Sequence, residues 1–167
     1  MPLLLGMEEI GETEIAKVVV YTNTSTGYVV YISAKQAPAH IDDLEVVQLS
    51  QILNTVFSAY KENNIKYSCV YDLCGGWVPS KKIVDFWVKF FRGQEQNMMG
   101  HQNGSAVLIQ SKELTDVLNV VLSLWTTVGE FKIFHGDAKP MWEWVSALNT
   151  TVSVPKNIRK KLKRSAF

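Results

Sequence analysis

Asp72 and Cys74 are the residues of this sequence whose types and spacing come nearest to a reactive pair. A cysteine attacks as its thiolate, and a neighbouring base usually takes the proton from the thiol. No histidine lies near Cys74 in the sequence. We therefore interpret Cys69 as a small core residue and Cys74 as a structural residue at a strand end, and we expect no enzymatic activity. An enzyme that uses Asp72 or Cys74 is one of three hypotheses for function.

Metal and nucleotide binding have little support in the spacing of the residues. The three histidines are far apart and lack a ligand pattern such as H-x-x-x-H: His40, His101 and His135. The pair Gly75-Gly76 belongs to neither G-x-x-x-x-G-K nor G-x-G-x-x-G, the patterns of phosphate-binding loops. We therefore expect neither a metal ion nor any other cofactor.

The stretch Ile65–Lys82 is the segment around which the other elements must be arranged. Residues 65–73 alternate between two faces and are rich in β-formers, which predicts a strand that ends near Asp72. Two glycines then permit a turn, Pro79 ends the strand region, and Ser80 is a favourable N-cap for a helix. In an open α/β sheet, ligands and partners bind at the carboxyl end of a central strand. The predicted partner-binding residues of this stretch are Asp72, Gly75, Gly76, Trp77 and Ser80.

The segments before this stretch predict a hairpin and a long helix. Residues 15–22 and 28–34 are β-rich, and the loop between them ends in Gly27. A helix is predicted from Asp42 or Asp43 to about Asn63, because its apolar residues recur at helical spacing. Residues 1–14 contain two glycines and four glutamates. We interpret them as an arm that is mostly linker-like.

Three helices and two strands are predicted after the central strand. The helix that begins at Ser80 carries four aromatic residues between positions 86 and 91. A polar loop is predicted over residues 93–104, then a buried strand over residues 105–110 and a helix capped by Ser111. The apolar stripe of that helix predicts a core position for Leu118, so that Leu118→Ala should cost about 2–5 kcal/mol. Residues 130–135 predict the last strand, and Asp137 caps the last helix.

The predicted order of elements is β-β-α-β-α-β-α-β-α. A hairpin followed by right-handed crossovers gives an α/β fold, in which a mixed sheet of about five strands has helices packed on it. A chain of 167 residues suits one domain of ordinary size. We assign residues 1–14 to an N-terminal arm, residues 15–150 to the domain and residues 151–167 to a basic tail.

Three short motifs in this order are similar to those of one known family. Residues 70–75, VYDLCG, are similar to a hydrophobic strand that ends in D-L-S-G, and residues 106–109 and 131–134 are similar to the next two strands. The element order and the motifs resemble the STAS domain, the fold of anti-sigma-factor antagonists and of the cytoplasmic domain of sulfate transporters, within the wider SpoIIAA-like set. The resemblance covers about residues 15–149.

This resemblance implies a binding module more than an enzyme. In regulatory members of the family, a serine at the start of the helix after the D-L-S-G strand is phosphorylated. Ser80 occupies about that place, where this chain has Val78-Pro79-Ser80-Lys81 instead of the usual D-S-S-G. The resemblance therefore suggests Ser80 as a switch, whereas the residue type by itself suggests a helix cap.

The charge of the chain is divided between its body and its last residues. The net charge is +1, yet the body holds 11 of the 17 basic residues against 16 acidic ones. The basic residues of the tail, which are predicted to bind partners, are Lys156, Arg159, Lys160, Lys161, Lys163 and Arg164. The tail is either a solvated end or a contact for a protein, for nucleic acid or for an anionic surface. With no membrane-length apolar run, no signal peptide and two cysteines, we expect an intracellular, soluble protein.

Two functions other than catalysis fit these features. The first is a non-enzymatic STAS-like interaction module, which binds other proteins as a small structural or regulatory subunit of a larger intracellular assembly such as a virion. The alternative is a carrier of a small apolar ligand or lipid, with a pocket beside the aromatic helix at residues 83–91 and near Met98 and Met99. An internal cavity beside that helix would favour the carrier, and a solid core there would favour the module.

Overall fold

Six strands and four helices form the part of the chain that the computed structural model describes, residues 6–23, 27–35, 43–75, 80–124 and 127–152. The strands are β1 (Gly6–Glu12), β2 (Ala16–Asn23), β3 (Gly27–Ala34), β4 (Tyr67–Asp72), β5 (Gln102–Ile109) and β6 (Glu130–His135). The helices are α1 (Asp43–Glu62), α2 (Lys81–Met98), α3 (Lys112–Leu124) and α4 (Ala138–Val152). Within those ranges, no helix has the length and apolar character that a membrane span requires.

The strands form one mixed sheet in the order β1-β2-β3-β4-β5-β6. The pairs β1–β2 and β2–β3 are antiparallel, and the pairs β3–β4, β4–β5 and β5–β6 are parallel. The predicted α/β class and mixed sheet are therefore confirmed. From β2 onward, the order of strands and helices is also the predicted one.

The sheet has six strands rather than about five, and the additional strand is β1. It lies within the arm that we interpreted as mostly linker-like, and it pairs with β2 from Gly6 to Glu12 with a bulge near Ile10. Because β1 has a neighbouring strand on one side only, its acidic side chains stay exposed. Charged residues are common on such edge strands, where they oppose pairing with other chains. Because of this acidic composition, β1 lacks the alternating apolar residues from which a strand is predicted.

Successive residues of the inner strands point to opposite faces of the sheet. On β3, Val30 and Ile32 belong to a core with α1 and α2, whereas Val29 belongs to a core with Trp142 of α4. We call the first side the three-helix face, because α1, α2 and α3 cover it, and the second side the α4 face. Every residue of β5 is buried, as expected of a parallel strand that is covered on both faces.

The predicted polar loop at residues 93–104 is wrong, because α2 continues through it to Met98. The polar side chains of that segment lie between two helices. The Gln94 side chain is buried and donates to Asn54 Oδ1 of α1 at 2.8 Å, and Asn97 donates to Ser58 Oγ of α1 at 3.4 Å. Polar groups that pair across a helix interface can be buried at little cost. The composition of this segment by itself is typical of a loop, which is why the sequence predicts one there.

The first half of β5 is also polar and also buried, so β5 begins at Gln102 rather than at residue 105. Gln102 donates to the Val128 carbonyl at 3.0 Å, and Asn103 donates to Asn149 Oδ1 of α4 at 2.8 Å. Ser68 of β4 donates to the same Asn149 oxygen. This network attaches the end of α4 to the sheet.

Helix α3 departs from its prediction in its packing and not in its position. Its Ser111 cap is confirmed, since the Leu114 N–H donates to Ser111 Oγ at 3.4 Å. Leu114 is buried, but Leu118 is only half-buried, so its predicted core position is wrong. The other stripe residues that the structure describes are half-buried as well: Val117, Val121 and Leu122.

Candidate ligand-binding site

Asp72 is the last residue of β4, at the carboxyl edge of the sheet where we predicted a site. Its side chain lies on the α4 face. Tyr31 Oη donates to Asp72 Oδ2 at 2.5 Å, and the Cys74 N–H donates to Asp72 Oδ1 at 3.1 Å. Burial, together with this hydrogen bond to a carboxylate, raises the pKa of Tyr31. Both oxygens of Asp72 thus have internal partners, which hold β3 and the turn after β4.

Neither cysteine has the features of a nucleophile. Burial and the neighbouring Asp72 charge raise the pKa of the Cys74 thiol, which keeps it protonated at neutral pH. Cys69 is buried on the three-helix face, and burial raises its pKa to about 12. Its thiol donates to Gln102 Oε1 at 3.2 Å. The interpretation of Cys69 as a core residue is confirmed.

The remaining predicted partner-binding residues are only partly described. Gly75 is exposed in the turn that follows Asp72. The Ile83 N–H donates to Ser80 Oγ at 3.4 Å, so the predicted N-cap of α2 is confirmed. Ser80 is exposed, which leaves the prediction of a switch open. The following predicted residues lie outside the described ranges: Gly76, Trp77, Lys156, Arg159, Lys160, Lys161, Lys163 and Arg164.

The histidines are not gathered in the described part of the chain. His101 lies before β5 with Nδ1 at 3.2 Å from the Met99 carbonyl, and His135 is exposed at the end of β6. His40 lies outside the described ranges. Among the residues described, no three His, Cys, Asp or Glu side chains are grouped so that they could hold a metal ion.

An apolar cavity of about 230 Å³ lies on the three-helix face, beside the aromatic helix α2. Its floor is formed by β3, β4 and β5, and its walls by α1, α2 and α3. The principal aliphatic and aromatic residues of its wall are Ile83, Trp87, Phe91, Val117, Leu118 and Leu122. No charged side chain is among the described residues that line it. Such a cavity suits an apolar ligand and offers little to an ion.

The cavity lies close to the predicted site, but on the opposite face of the sheet. Tyr71 and Leu73 line it, and they flank Asp72 in the sequence. Because side chains of a strand alternate, these two residues point away from the face on which Asp72 lies. The predicted partner-binding residue Asp72 and these two lining residues of the cavity thus lie at the same end of β4 but on opposite faces of the sheet. The alternation of side chains along β4 was the sequence signal that could have placed Tyr71 and Leu73 together on the face opposite to Asp72.

The aromatic helix contributes part of what we predicted. Trp87 and Phe91 line the cavity, and the Tyr71 ring lies edge-on to Phe91 at 5.9 Å between centroids. Met98 is buried in the core with α1, and Met99 is 62% exposed. Neither methionine is among the lining residues, so the predicted role of Met98 and Met99 in the pocket is wrong.

Three hydroxyl groups supply the polarity of the cavity wall among the described residues: Tyr71, Ser105 and Thr127. Burial raises the pKa of Tyr71 well above its usual value, so this phenol stays neutral. Ser105 is 4% exposed and lies on β5 opposite Cys69 of β4. The cavity can therefore offer hydrogen bonds without offering charge.

Comparison of the chain with protein-family models, with characterised proteins and with solved structures finds no match. The resemblance to the STAS domain therefore stays a prediction from short motifs. The function has to be inferred from the geometry of the molecule, in which the cavity is the feature with the clearest chemical preference.

Proposed function

We propose that this protein binds and carries a small apolar ligand in the cavity beside α2. The observation that carries this proposal is the cavity itself, with its volume of about 230 Å³ and its aliphatic and aromatic wall. A solid core at this place would have favoured an interaction module without a ligand. An empty space of this kind also forfeits packing energy, which a bound ligand restores.

The volume limits the size of the ligand. An apolar cavity of about 150 Å³ is large enough to bind benzene. A cavity of about 230 Å³ therefore accommodates a ligand of roughly ten non-hydrogen atoms, such as a short aliphatic chain or two fused rings. Burial of a ligand of this size supports a dissociation constant in about the micromolar range.

A titration with small apolar compounds tests the proposal. We expect saturable binding by isothermal titration calorimetry and a ligand-dependent rise in melting temperature, because a ligand that binds only the folded state stabilises it. Leu118→Trp places a large side chain into the cavity and should weaken binding at least tenfold. A full panel without saturable binding would overturn the proposal.

The matched control is Val120→Trp on the same helix. Val120 is 55% exposed and is not among the lining residues, so its variant should bind as the natural protein does. Equal loss of binding in both variants would mean that Leu118→Trp acts through the stability of α3 and not through the cavity.

A second candidate is the STAS-like module that contacts other proteins of an intracellular assembly. It is supported by the start of α2, where Ser80 and Lys81 are exposed near the carboxyl edge of the sheet. Ser80→Asp keeps an N-cap and adds charge, so it should fold normally and change the capture of partners from native extract. Deletion of residues 156–167 tests in the same way whether the basic tail contributes a salt-sensitive contact. Unchanged capture in both variants would remove this candidate.

A further inference from the structure

The polar groups of the cavity lie towards one of its ends. The parallel strands β4 and β5 share the direction of their chains, and Ser105 pairs with Cys69 while Tyr71 pairs with Val107. Ser105 is thus nearer the amino end of the sheet, and Thr127 lies just before β6 at that same end. At the carboxyl end the lining residues are aliphatic, among them Leu73, Ile83 and Leu114. The few polar groups of a mainly apolar wall therefore lie away from its carboxyl end.

Tyr71 lies on the same face of β4 as Cys69, which is two residues nearer the amino end of that strand. The Cys69 thiol donates to Gln102 Oε1, and the Gln102 amide donates to the Val128 carbonyl. These bonds occupy the Gln102 side chain, and the oxygen of a phenol such as Tyr71 can accept a hydrogen bond as well as donate one.

The charge of the ligand follows from the same wall. A carboxylate, phosphate or ammonium group placed beside Ser105 would be buried without a counter-charge among the described lining residues. Burial of an unpaired charge costs far more than the apolar part of a small ligand can return. A neutral hydroxyl, in contrast, can accept from Ser105 and donate to Tyr71.

On these observations we infer that the ligand is a neutral, mainly apolar alcohol, whose hydroxyl group lies at the end of the cavity formed by Tyr71 and Ser105. This inference rests on the proposed function, since it names the chemical class of the ligand of the same cavity. The apolar part of the ligand lies along Trp87, Phe91 and Leu118, towards Leu73.

Calorimetric titration of the full chain with three matched compounds tests the inference: 1-octanol, methyl octyl ether and octanoate at pH 7. We expect 1-octanol to bind about fivefold more tightly than the ether, which accepts hydrogen bonds but does not donate. Octanoate should bind at least tenfold more weakly than the alcohol, because its charge has no partner in the cavity. In Tyr71→Phe, the preference for the alcohol over the ether should fall while the affinity for the ether stays the same. In Ser105→Ala, both neutral compounds should bind more weakly, because each can accept a hydrogen bond from Ser105.

The control variant is Tyr21→Phe, a half-buried tyrosine on the α4 face that should leave all three affinities unchanged. Equal affinity for the alcohol and the ether would overturn the inference and leave the proposed function standing. Octanoate that binds as tightly as 1-octanol would overturn the neutrality of the ligand. A preference for the alcohol that survives Tyr71→Phe, or affinities for both neutral compounds that are unchanged in Ser105→Ala, would overturn the assignment of Tyr71 and Ser105, and failure of all three compounds to bind would overturn the proposed function as well.

Discussion

The tryptophans on the two faces of the sheet make different ring contacts. On the α4 face, the Trp142 ring stacks on Tyr31 of β3 at 5.8 Å with an interplanar angle of 6°, and Tyr21 lies edge-on to both rings. On the three-helix face, Trp87 makes its ring contacts with Phe86, Phe90 and Phe91, which belong to its own helix. The Trp142 ring thus lies against the strands, whereas the Trp87 ring packs along its own helix beside the cavity.

The polar groups of the two faces follow the same division. Asn149 of α4 bonds Ser68 and Asn103 on two strands, so this helix is attached to the sheet itself. On the three-helix face, Gln94 and Asn97 of α2 bond to α1, and so attach one helix to another. A face whose helix is fixed to the strands favours a solid core. The other face can hold a cavity without loss of the contacts that position α2.

The largest expected difference between the faces is in their tryptophans. Trp142 is 7% exposed, and Trp142→Ala should cost about 4 kcal/mol in the free energy of unfolding. Trp87 is half-buried beside an existing cavity, so Trp87→Ala should cost about 1–2 kcal/mol. Urea unfolding with an unchanged m-value measures both losses. Equal losses would mean that the cavity is filled by neighbouring side chains in solution.

Leu148 of α4 and Leu118 of α3 allow a second comparison of the two faces. Both are leucines in helices, so the change in helix propensity on substitution by alanine is the same. Leu148 of α4 is 6% exposed, and Leu148→Ala should cost about 3 kcal/mol. Leu118 of α3 is half-buried at the cavity, and Leu118→Ala should cost about 1 kcal/mol, below the range that a core position predicts. Thermal or urea unfolding decides the matter, and a loss above about 2 kcal/mol for Leu118→Ala would restore its core position.

The polar attachments should differ by a smaller amount. Asn149→Ala leaves the Ser68 hydroxyl and the Asn103 amide buried without this acceptor, and we expect a loss of about 2 kcal/mol. Asn97→Ala, on the three-helix face, should cost less, about 1 kcal/mol, because only one of its two acceptors, Gln94, is buried, whereas Ser58 is half-buried. A double-mutant cycle of Asn149→Ala with Ser68→Ala should show coupling. Additive losses would mean that the network contributes nothing beyond its separate bonds.

The smallest effects concern two tyrosine hydroxyls. The Tyr67 hydroxyl is buried on the three-helix face with no hydrogen-bond partner among the described residues, so Tyr67→Phe should be neutral or stabilising by up to about 1 kcal/mol. The Tyr31 hydroxyl donates to Asp72, and Tyr31→Phe should cost about 1 kcal/mol. Chemical unfolding of both variants beside the natural protein measures the difference. A clear loss in Tyr67→Phe would reveal a partner for its hydroxyl, such as a bound water.

Local chemistry determines much of this molecule, and the sequence was sufficient for those parts. Ser80 and Ser111 cap their helices because a hydroxyl can reach an N–H in the first turn of a helix, whatever else surrounds it. Alternation predicts β4, and the order of elements predicts an α/β fold with a mixed sheet. These features depend on residues within a few positions of each other, or on the sequential order of the strands.

Tertiary structure decided the features that depend on distant partners. The polar side chains of Gln94 and Asn97 can lie in a helix because they donate hydrogen bonds to Asn54 and Ser58 of another helix. Glu8 and Glu9 lie in a strand because their backbone pairs with β2. The apolar stripe of α3 is sufficient to predict a helix. The distance from α3 to Trp87 and Phe91 of α2 depends on how these two helices pack on the sheet. The cavity is a space between elements, and no single segment encodes it. The site at the carboxyl end of β4 therefore stays a prediction from the sequence, whereas the position of the cavity on the three-helix face depends on how α1, α2 and α3 pack on the sheet.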